Sequence, residues 1–148
     1  MSIQCEIVTQ DRLLYEGEVD IVVAPGTEGE LGILPNHAPL LTTLGYGVLR
    51  IRRGESEQVF TIAGGFMEVR PDSVTILADV GERIEEIDEA RAEQARANAQ
   101  AIIEQGPGPD LDQYLALEAS LRRSNLRLQA VRRYRHGKTA HIHRGEGE

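Results

Sequence analysis

The chain has 148 residues, a formal net charge of −8 and 41% hydrophobic residues. These values are typical of one or two small globular domains with a core, and they argue against a chain that is disordered throughout. The longest apolar runs are a few residues long, whereas a membrane-spanning helix needs roughly 20. Low aromatic content and the lack of tryptophan argue against the base-stacking surface of a single-strand nucleic-acid binder.

The N-terminal segment MSIQCEIVTQ has neither a basic region nor an apolar run, so we expect no secretory signal and a cytoplasm-like compartment. Cys5 is the single cysteine, which excludes an intrachain disulfide and a thiolate metal cluster. We expect Cys5 to be a small buried hydrophobe on an N-terminal strand.

Short alternating segments predict β-strands through the first half of the chain. The predicted strands cover residues 3–9, 13–24, 47–53, 58–63, 66–70 and 74–78. Gly64–Gly65 is expected to break the strand pattern. Strands at this spacing indicate an all-β sandwich or barrel, and the lack of a helical segment before residue 84 argues against a parallel α/β fold.

The segment from Pro25 to Gly47 is rich in glycine and proline. This density predicts a stiff, shaped loop rather than regular secondary structure. A loop of this length inside a compact domain is more often functional than not, so we interpret it as a docking surface.

The period changes to helical after residue 84. Asp88 is the predicted N-cap of a helix over residues 89–104, and Ala92, Ala95, Ala99 and Ile102 share one face. Gly106-Pro107-Gly108-Pro109 ends this helix. Asp110 or Asp112 caps a second helix, whose seam is formed by Tyr114, Leu117, Leu121, Ser124, Leu128 and Val131.

These patterns predict three regions: an all-β domain over residues 1–84, an antiparallel two-helix hairpin over 85–135 and a flexible tail over 136–148. The apolar faces of both helices are narrow, so packing of the hairpin is expected to be marginal. We therefore expect a stable β domain that carries a hairpin able to detach or extend.

Charge is distributed unevenly, because residues 119–144 carry eight basic side chains and no acidic one. Arg123 and Arg127 lie four residues apart on the second helix, with Arg122 beside them. This pattern is consistent with a solvated basic face, with contact to an acidic protein, or with binding of a nucleotide phosphate.

No catalytic arrangement is evident. His37 is the one histidine in the β domain, and a structural or interface role is favoured because nothing selects Asp20, Thr42 or Thr43 as its partners. A terminal stretch is favoured over a metal site for His136, His141 and His143. The acidic cluster from Glu82 to Glu89 suits a helix N-terminus, and neither a P-loop nor a GxGxxG motif is present.

Four motifs together resemble one family. GELGILPNHAPLLT (residues 29–42) is similar to the signature loop of the epsilon subunits of F-type ATP synthases, and GGFMEV (64–69), VTILAD (74–79) and IDEARA (87–92) continue the resemblance in order. The resemblance covers about residues 3–134.

This resemblance implies a β-sandwich of about ten strands, followed by the helical hairpin. It implies a non-catalytic subunit of the rotating central stalk that contacts the gamma subunit and the c-subunit ring and couples rotation to ATP synthesis. The hairpin is expected to reach the alpha and beta subunits of the catalytic head and to inhibit ATP hydrolysis. Nucleic acid is not an expected partner, and the membrane, on the cytoplasmic face of a bacterial cell, is contacted only through the complex.

The resemblance also implies candidate site residues. The candidates for contact with the stalk and the c ring are Glu30, Leu31, Gly32, Ile33 and His37. The candidates for nucleotide binding are Ile87, Asp88, Arg91, Ala92, Arg123 and Arg127, and those for the inhibitory helix are Arg122, Arg123, Arg127, Arg132 and Arg133. No cofactor or metal is required, whereas ATP is a candidate regulatory ligand. The alternative hypotheses are an ATP-responsive sensor module and a hydrolase that uses His37.

Overall fold

The computed structural model describes residues 1–136, and the chain divides into two compact units. The first unit is Met1–Arg83 and the second begins at Ile84. Of the predicted tail, His141 and His143 lie outside the described residues, and only the main chain of His136 lies within them.

The first unit is built from β-strands. In chain order they are β1 (Ile3–Val8), β2 (Leu13–Val19), β3 (Ile21–Gly26), β4 (Gly29–Ile33), β5 (Leu40–Arg53), β6 (Ser56–Val69), β7 (Ser73–Ala78) and β8 (Gly81–Arg83). They hydrogen-bond in the order β2-β1-β7-β6-β5-β3-β4, and β8 pairs with β6. Neighbouring strands run antiparallel except for the parallel pair β1–β7.

The two layers of the sandwich share the longest strands, β5 and β6, which have 14 residues each. Residues 60–62 of β6 pair with β8, whereas residues 65–69 pair with β7. Gly64 and Gly65 lie where these halves meet and have φ of 82° and 135°, so the strand bends there from one layer into the other. The predicted β-sandwich is therefore confirmed.

The described residues form eight strands rather than about ten, because the long strands continue where a break was expected. The prediction that Gly64–Gly65 ends a strand is wrong, since Gly65 pairs with both Leu44 and Ala78. A Cβ on Gly65 would lie 2.2 Å from the carbonyl oxygen of Leu77. Glycine is thus required for close approach of the backbones and not for an end of pairing.

The prediction that residues 25–47 lack regular structure is also wrong in part, because β4 and the first half of β5 lie within this segment. Pro25 is accommodated because the β3–β5 register shifts between Val23 and Gly26, where no regular ladder bond is lost. β4 is the last strand in the order, so its glycines weaken an edge rather than the centre of the sheet.

The core of the sandwich follows from strand alternation, which sends every second side chain inward. Its largest fully buried side chains come from every strand except β8 and include Phe60, Ile3, Ile7, Leu14, Val22, Ile33, Leu49, Ile62, Met67 and Ile76. Cys5 is buried among them, as the sequence predicts.

The second unit contains helices α1 (Glu89–Ile103) and α2 (Leu111–Ala130). A 3-10 turn (Ile84–Glu86) precedes α1, and a π-helical turn (Val131–His136) follows α2. The predicted caps are confirmed: the Asp88 carboxylate accepts from the Arg91 N–H, and Asp110 accepts from the N–H groups of Asp112 and Gln113. The two helices pack against each other, which confirms the hairpin.

The α2 seam agrees with the predicted heptad pattern, because Ser124, Leu128 and Val131 are buried. On α1, Ala92 and Ala99 are buried, but Ile102 is 47% exposed, so its place on the packed face is wrong. Half-buried Ile103 continues that face instead. The interval of 4 from Ala99 brings Ile103 closer to the line of Ala92 than Ile102 would be.

Candidate docking and ligand-binding surfaces

The β3–β4 hairpin carries four of the five predicted contact residues. It is tight, because Gly26 pairs with Gly29 across residues 27 and 28. Arg50 on β5 lies 3.4 Å from the Glu30 carboxylate and 3.7 Å from that of Glu57. The Glu30 side chain remains 63% exposed, so Arg50 restrains it while leaving it available to a partner.

The other hairpin candidates differ in accessibility. Gly32 is exposed, and a side chain placed on it would meet open space. Leu31 is half-buried against the core, whereas Ile33 is 1% exposed and is part of the core. Ile33 therefore anchors the hairpin, and its side chain does not belong to the exposed surface. Leu34, which the candidate set omits, is exposed directly after it.

His37 is held by local hydrogen bonds in the turn after β4. Its main-chain N–H donates to Leu34 O, and its Nδ1 lies 2.7 Å from Ala38 O. Because a carbonyl only accepts, Nδ1 carries the proton in this arrangement. The preceding Asn36 has φ of 66° and donates its N–H to Pro71 O at 2.8 Å. These bonds fix the shape of the turn and leave the half-buried ring at its surface.

A mainly apolar row of side chains crosses the outer face of the layer formed by β2, β1, β7, β6 and β5, and sequence reasoning missed it. Strand pairing aligns Leu13, Val8, Leu77, Phe66 and Thr43 across β2, β1, β7, β6 and β5. Phe66 and Leu77 are each 51% exposed. We call this set the outer apolar row. The sequence could have revealed it, because these apolar residues occupy alternate strand positions that face outward, and such positions of a half-exposed sheet are ordinarily polar.

A second row carries negative charge and lies two residues along β1, β5, β6 and β7 and, because the β1–β2 register shifts, three residues along β2. It consists of Glu16, Glu6, Thr75, Glu68 and Leu41 in register. Arg70 pairs with Glu68 at 2.8 Å, at the edge of a shallow depression beside Leu41 and Pro39. The face therefore presents an apolar row beside a mainly acidic one.

The predicted nucleotide-binding residues lie at the start of α1 and along α2. The Asp88 carboxylate is engaged as the α1 cap, and Ile87 and Ala92 are buried. Arg91 is exposed, whereas Arg123 and Arg127 are half-buried. The cap and the buried pair thus shape the helix start, and the arginines are the cationic groups of the predicted set.

A groove of about 350 Å³ runs along the hairpin, and none of the predicted nucleotide-binding residues lines it. Its lining consists of Glu93, Arg96, Asn125, Leu128, Gln129 and Arg132. A helix advances about 100° per residue, so Arg91 and Arg127 project from the opposite edge of the seam. The hairpin therefore has two polar edges of different composition.

The groove edge is organised by an ion pair. Arg96 Nε donates to the Glu93 carboxylate at 3.1 Å. This hydrogen bond, with the charges of Arg96 and Arg132, lowers the pKa of Glu93. Glu93 neutralises part of the positive charge of Arg96 and Arg132, and this edge is therefore poorly suited to a polyanion.

The remaining inhibitory-helix candidates lie at the outer side and end of α2. Arg122, Arg132 and Arg133 are exposed, and the Arg133 guanidinium lies 5.2 Å from the centroid of the Tyr134 ring. Among the residues that the structure describes, no three His, Cys, Asp or Glu side chains are grouped as a metal site would require. In the same range, no helix is both long and apolar enough to span a bilayer.

Comparisons with known proteins agree with the two units. The family described as ATP synthase, Delta/Epsilon chain, beta-sandwich domain matches residues 2–84, and its long alpha-helix domain matches residues 85–132. The chain is 47% identical over 136 residues to the ATP synthase epsilon chain of Dehalococcoides mccartyi, covering 90% of this chain and 95% of that relative. It is 50% identical over 133 residues to that of Herpetosiphon aurantiacus, covering 89% and 96%.

Solved structures of ATP synthases also contain chains that are similar to this one. A chain in the cryo-EM structure of the Euglena gracilis mitochondrial ATP synthase (OSCP/F1/c-ring) is 26% identical with a TM-score of 0.73, covering 88% of this chain and 81% of that one. A chain of the Tetrahymena thermophila central stalk and c ring shares the fold, with 19% identity, a TM-score of 0.59 and coverage of 88% and 96%. The resemblance inferred from the sequence is confirmed, and it is to a subunit of a complex rather than to a free-standing enzyme. The chain belongs to the delta/epsilon family of ATP synthase subunits, and the relatives to which it is 47% and 50% identical are epsilon chains.

Proposed function

We propose that this chain couples rotation to ATP synthesis in the central stalk of a proton-translocating F-type ATP synthase and restrains ATP hydrolysis through its hairpin. Its place is the cytoplasmic face of a bacterial plasma membrane, to which it is bound through the complex. The observation that carries the proposal is the pairing of a well-packed sandwich, which presents accessible docking groups, with a separately folded hairpin that has a thin seam.

The sandwich supplies the docking function. The outer apolar row suits the gamma subunit, because burial of half-exposed Phe66 and Leu77 contributes roughly 25 cal/mol per Å² of apolar area. The adjacent Glu6, Glu16 and Glu68 favour a partner surface with flanking basic residues. The tip of the β3–β4 hairpin suits the c ring, since Glu30 is accessible and oriented by Arg50.

The helical hairpin supplies the inhibitory function. Its α1 seam is largely alanine, so separation of the two helices exposes little apolar area. Released α2 would present Arg122, Arg132 and Arg133 to an acidic surface of the alpha and beta subunits. A weakly packed element with a strong charge bias is suited to exchange between two binding partners.

The inhibitory function is tested by removal of the hairpin from the assembled complex. Deletion of residues 88–148 is expected to leave stalk assembly intact and to raise ATP hydrolysis, measured as phosphate release. The matched control is Phe66→Glu in the full chain, which places a charge in the outer apolar row and is expected to impair assembly instead. Unchanged hydrolysis in an assembled, truncated complex would refute the inhibitory function.

A second candidate function is an ATP sensor. The observation that favours it is the polar edge of the hairpin opposite the groove, where Arg91 is exposed and Arg127 is half-buried and where guanidinium groups suit the oxygens of a phosphate. ATP is then a regulatory ligand and not a required cofactor.

Titration calorimetry of the full chain with ATP tests the sensor. Arg91→Ala and Arg123→Ala are expected to weaken binding, whereas Arg96→Ala, which removes an arginine from the groove edge, is expected to leave it unchanged. An absence of binding heat in the wild-type chain up to millimolar ATP would eliminate the sensor function.

A further inference from the structure

The side chain of Arg135 joins the two ends of the hairpin. Its Nη2 donates to the main-chain oxygen of Ile84 and, at 2.9 Å, to that of Ile87. Both carbonyls precede α1, whereas Arg135 follows α2, so the bonds span 51 and 48 residues of chain. We refer to this end of the second unit, where Ile84, Ile87 and Arg135 meet, as the hairpin base.

The position of Arg135 follows from the heptad pattern of α2. Leu128 and Val131 are buried seam residues, and a further step of four reaches Arg135. A charged residue at a seam position needs acceptors, because a buried guanidinium without partners is costly. The carbonyls of Ile84 and Ile87 provide them, and half-buried Arg135 therefore closes the seam with hydrogen bonds rather than with apolar packing.

Two further observations indicate that the Arg135 hydrogen bonds are important for closure of the hairpin in this chain. On the α1 side, the seam that they close consists of the small residues Ala92 and Ala99, so apolar packing depends on a few larger side chains of α2 such as Leu128 and Val131. The family match to the long alpha-helix domain ends at residue 132, and Arg135 lies beyond it. The contact is therefore a feature of this chain that the match to the family does not supply.

We propose that Arg135 is a positioning residue that holds the hairpin closed, so that release of Arg135 from Ile84 and Ile87 precedes separation of α2 from α1. Closure is a property of the free chain, and its consequence for hydrolysis rests on the proposed inhibitory function. Hydrogen bonds to a charged group are stronger than those between neutral groups, so loss of both is expected to favour the open hairpin by roughly 10- to 100-fold.

Hydrogen–deuterium exchange of the full chain tests the closure. In Arg135→Ala, amides in the second half of α2 are expected to exchange roughly 10- to 100-fold faster than in the wild type. The matched control is Arg133→Ala, which removes the same charge two residues away without touching the base and is expected to change these rates less than about threefold. Unchanged exchange in the β-strands of both variants shows that the sandwich is intact.

The outcomes separate the two proposals. Equal exchange in Arg135→Ala and the wild type, or an equal increase in Arg133→Ala, would overturn the closure by Arg135 whatever the chain does in the complex. If exchange rises only in Arg135→Ala, the closure stands, and hydrolysis by the complex is then measured with the same variant. Lower hydrolysis is expected because the open hairpin is the inhibitory form, whereas unchanged hydrolysis would contradict the inhibitory function alone.

Discussion

Replacement of Gly65 by alanine tests the argument that β6 crosses between layers without a break. Gly65 has φ of 135°, and an added Cβ would lie 2.2 Å from Leu77 O and 2.8 Å from Ala78 Cα. The backbone conformation alone costs about 1–3 kcal/mol for a residue with a side chain. The collision adds to this, because both nearest atoms are main chain and β7 must shift away from β6.

Gly29 provides the matched control for this substitution. It has φ of 130°, but an added Cβ would meet nothing within 4 Å. Gly29→Ala is therefore expected to cost only the backbone strain, about 1–3 kcal/mol. Gly65→Ala is expected to cost about 1–3 kcal/mol more than Gly29→Ala, which is the usual penalty for overpacking.

The free energy of unfolding is measured for each variant by urea titration, with NMR signals of β6 and β7 amides as the probe. This probe reports on the sandwich separately from the helices, which need not unfold with it. A Gly65→Ala variant that is destabilised no more than Gly29→Ala would refute the close-approach argument. In that case, β7 would be free to move, and the bend would not be fixed by packing.

Three further predictions concern individual side chains. Burial, with the neighbouring Glu6 carboxylate, raises the pKa of Cys5 from 9.0 to about 12. Ellman's reagent at pH 8 is therefore expected to label Cys5 only as fast as the chain unfolds. The contribution of the buried thiol to the free energy of unfolding is present below about pH 9 and is lost as the pH rises toward 12. The hydrogen bond from Arg96 lowers the pKa of Glu93. Its contribution to the free energy of unfolding is present above the pKa of Glu93 in the unfolded chain and is lost as the pH falls through the pKa in the folded chain. An NMR titration of Arg96→Gln is expected to show a higher pKa for Glu93. Asp110→Ala should destabilise the start of α2 by about 1 kcal/mol, seen as faster amide exchange at Asp112 and Gln113.

Local chemistry made the helices predictable from the sequence. Asp88 and Asp110 act as caps because their side chains accept from N–H groups two or three residues ahead, an interaction that needs no tertiary context. The sequence did not decide whether Ile102 or Ile103 lies on the packed face of α1. The two residues differ by one step around the helix, and a narrow face of alanines defines its direction poorly.

Glycine was the main source of error in the strands. Gly64–Gly65 is consistent with either a turn or a bend within a continuous strand, and only the pairing with β5 and β7 distinguishes them. The same limit applies to the candidate sites. The outer apolar row joins residues from five strands, and the hairpin base joins residues about 50 apart, so neither forms a motif along the chain.

The distribution of apolar and polar contacts explains how one chain can combine a fixed and an exchangeable part. In the sandwich, large side chains such as Phe60 and Met67 are fully buried, and their removal from water contributes about 1.5–3 kcal/mol each. In the hairpin, the buried α1 residues are alanines, so the closed form depends more on the hydrogen bonds that Arg135 makes at the hairpin base. Such bonds can be replaced one for one by a partner's acceptors, whereas a buried core cannot, and the hairpin is therefore the part of the chain that a partner can redirect at low cost.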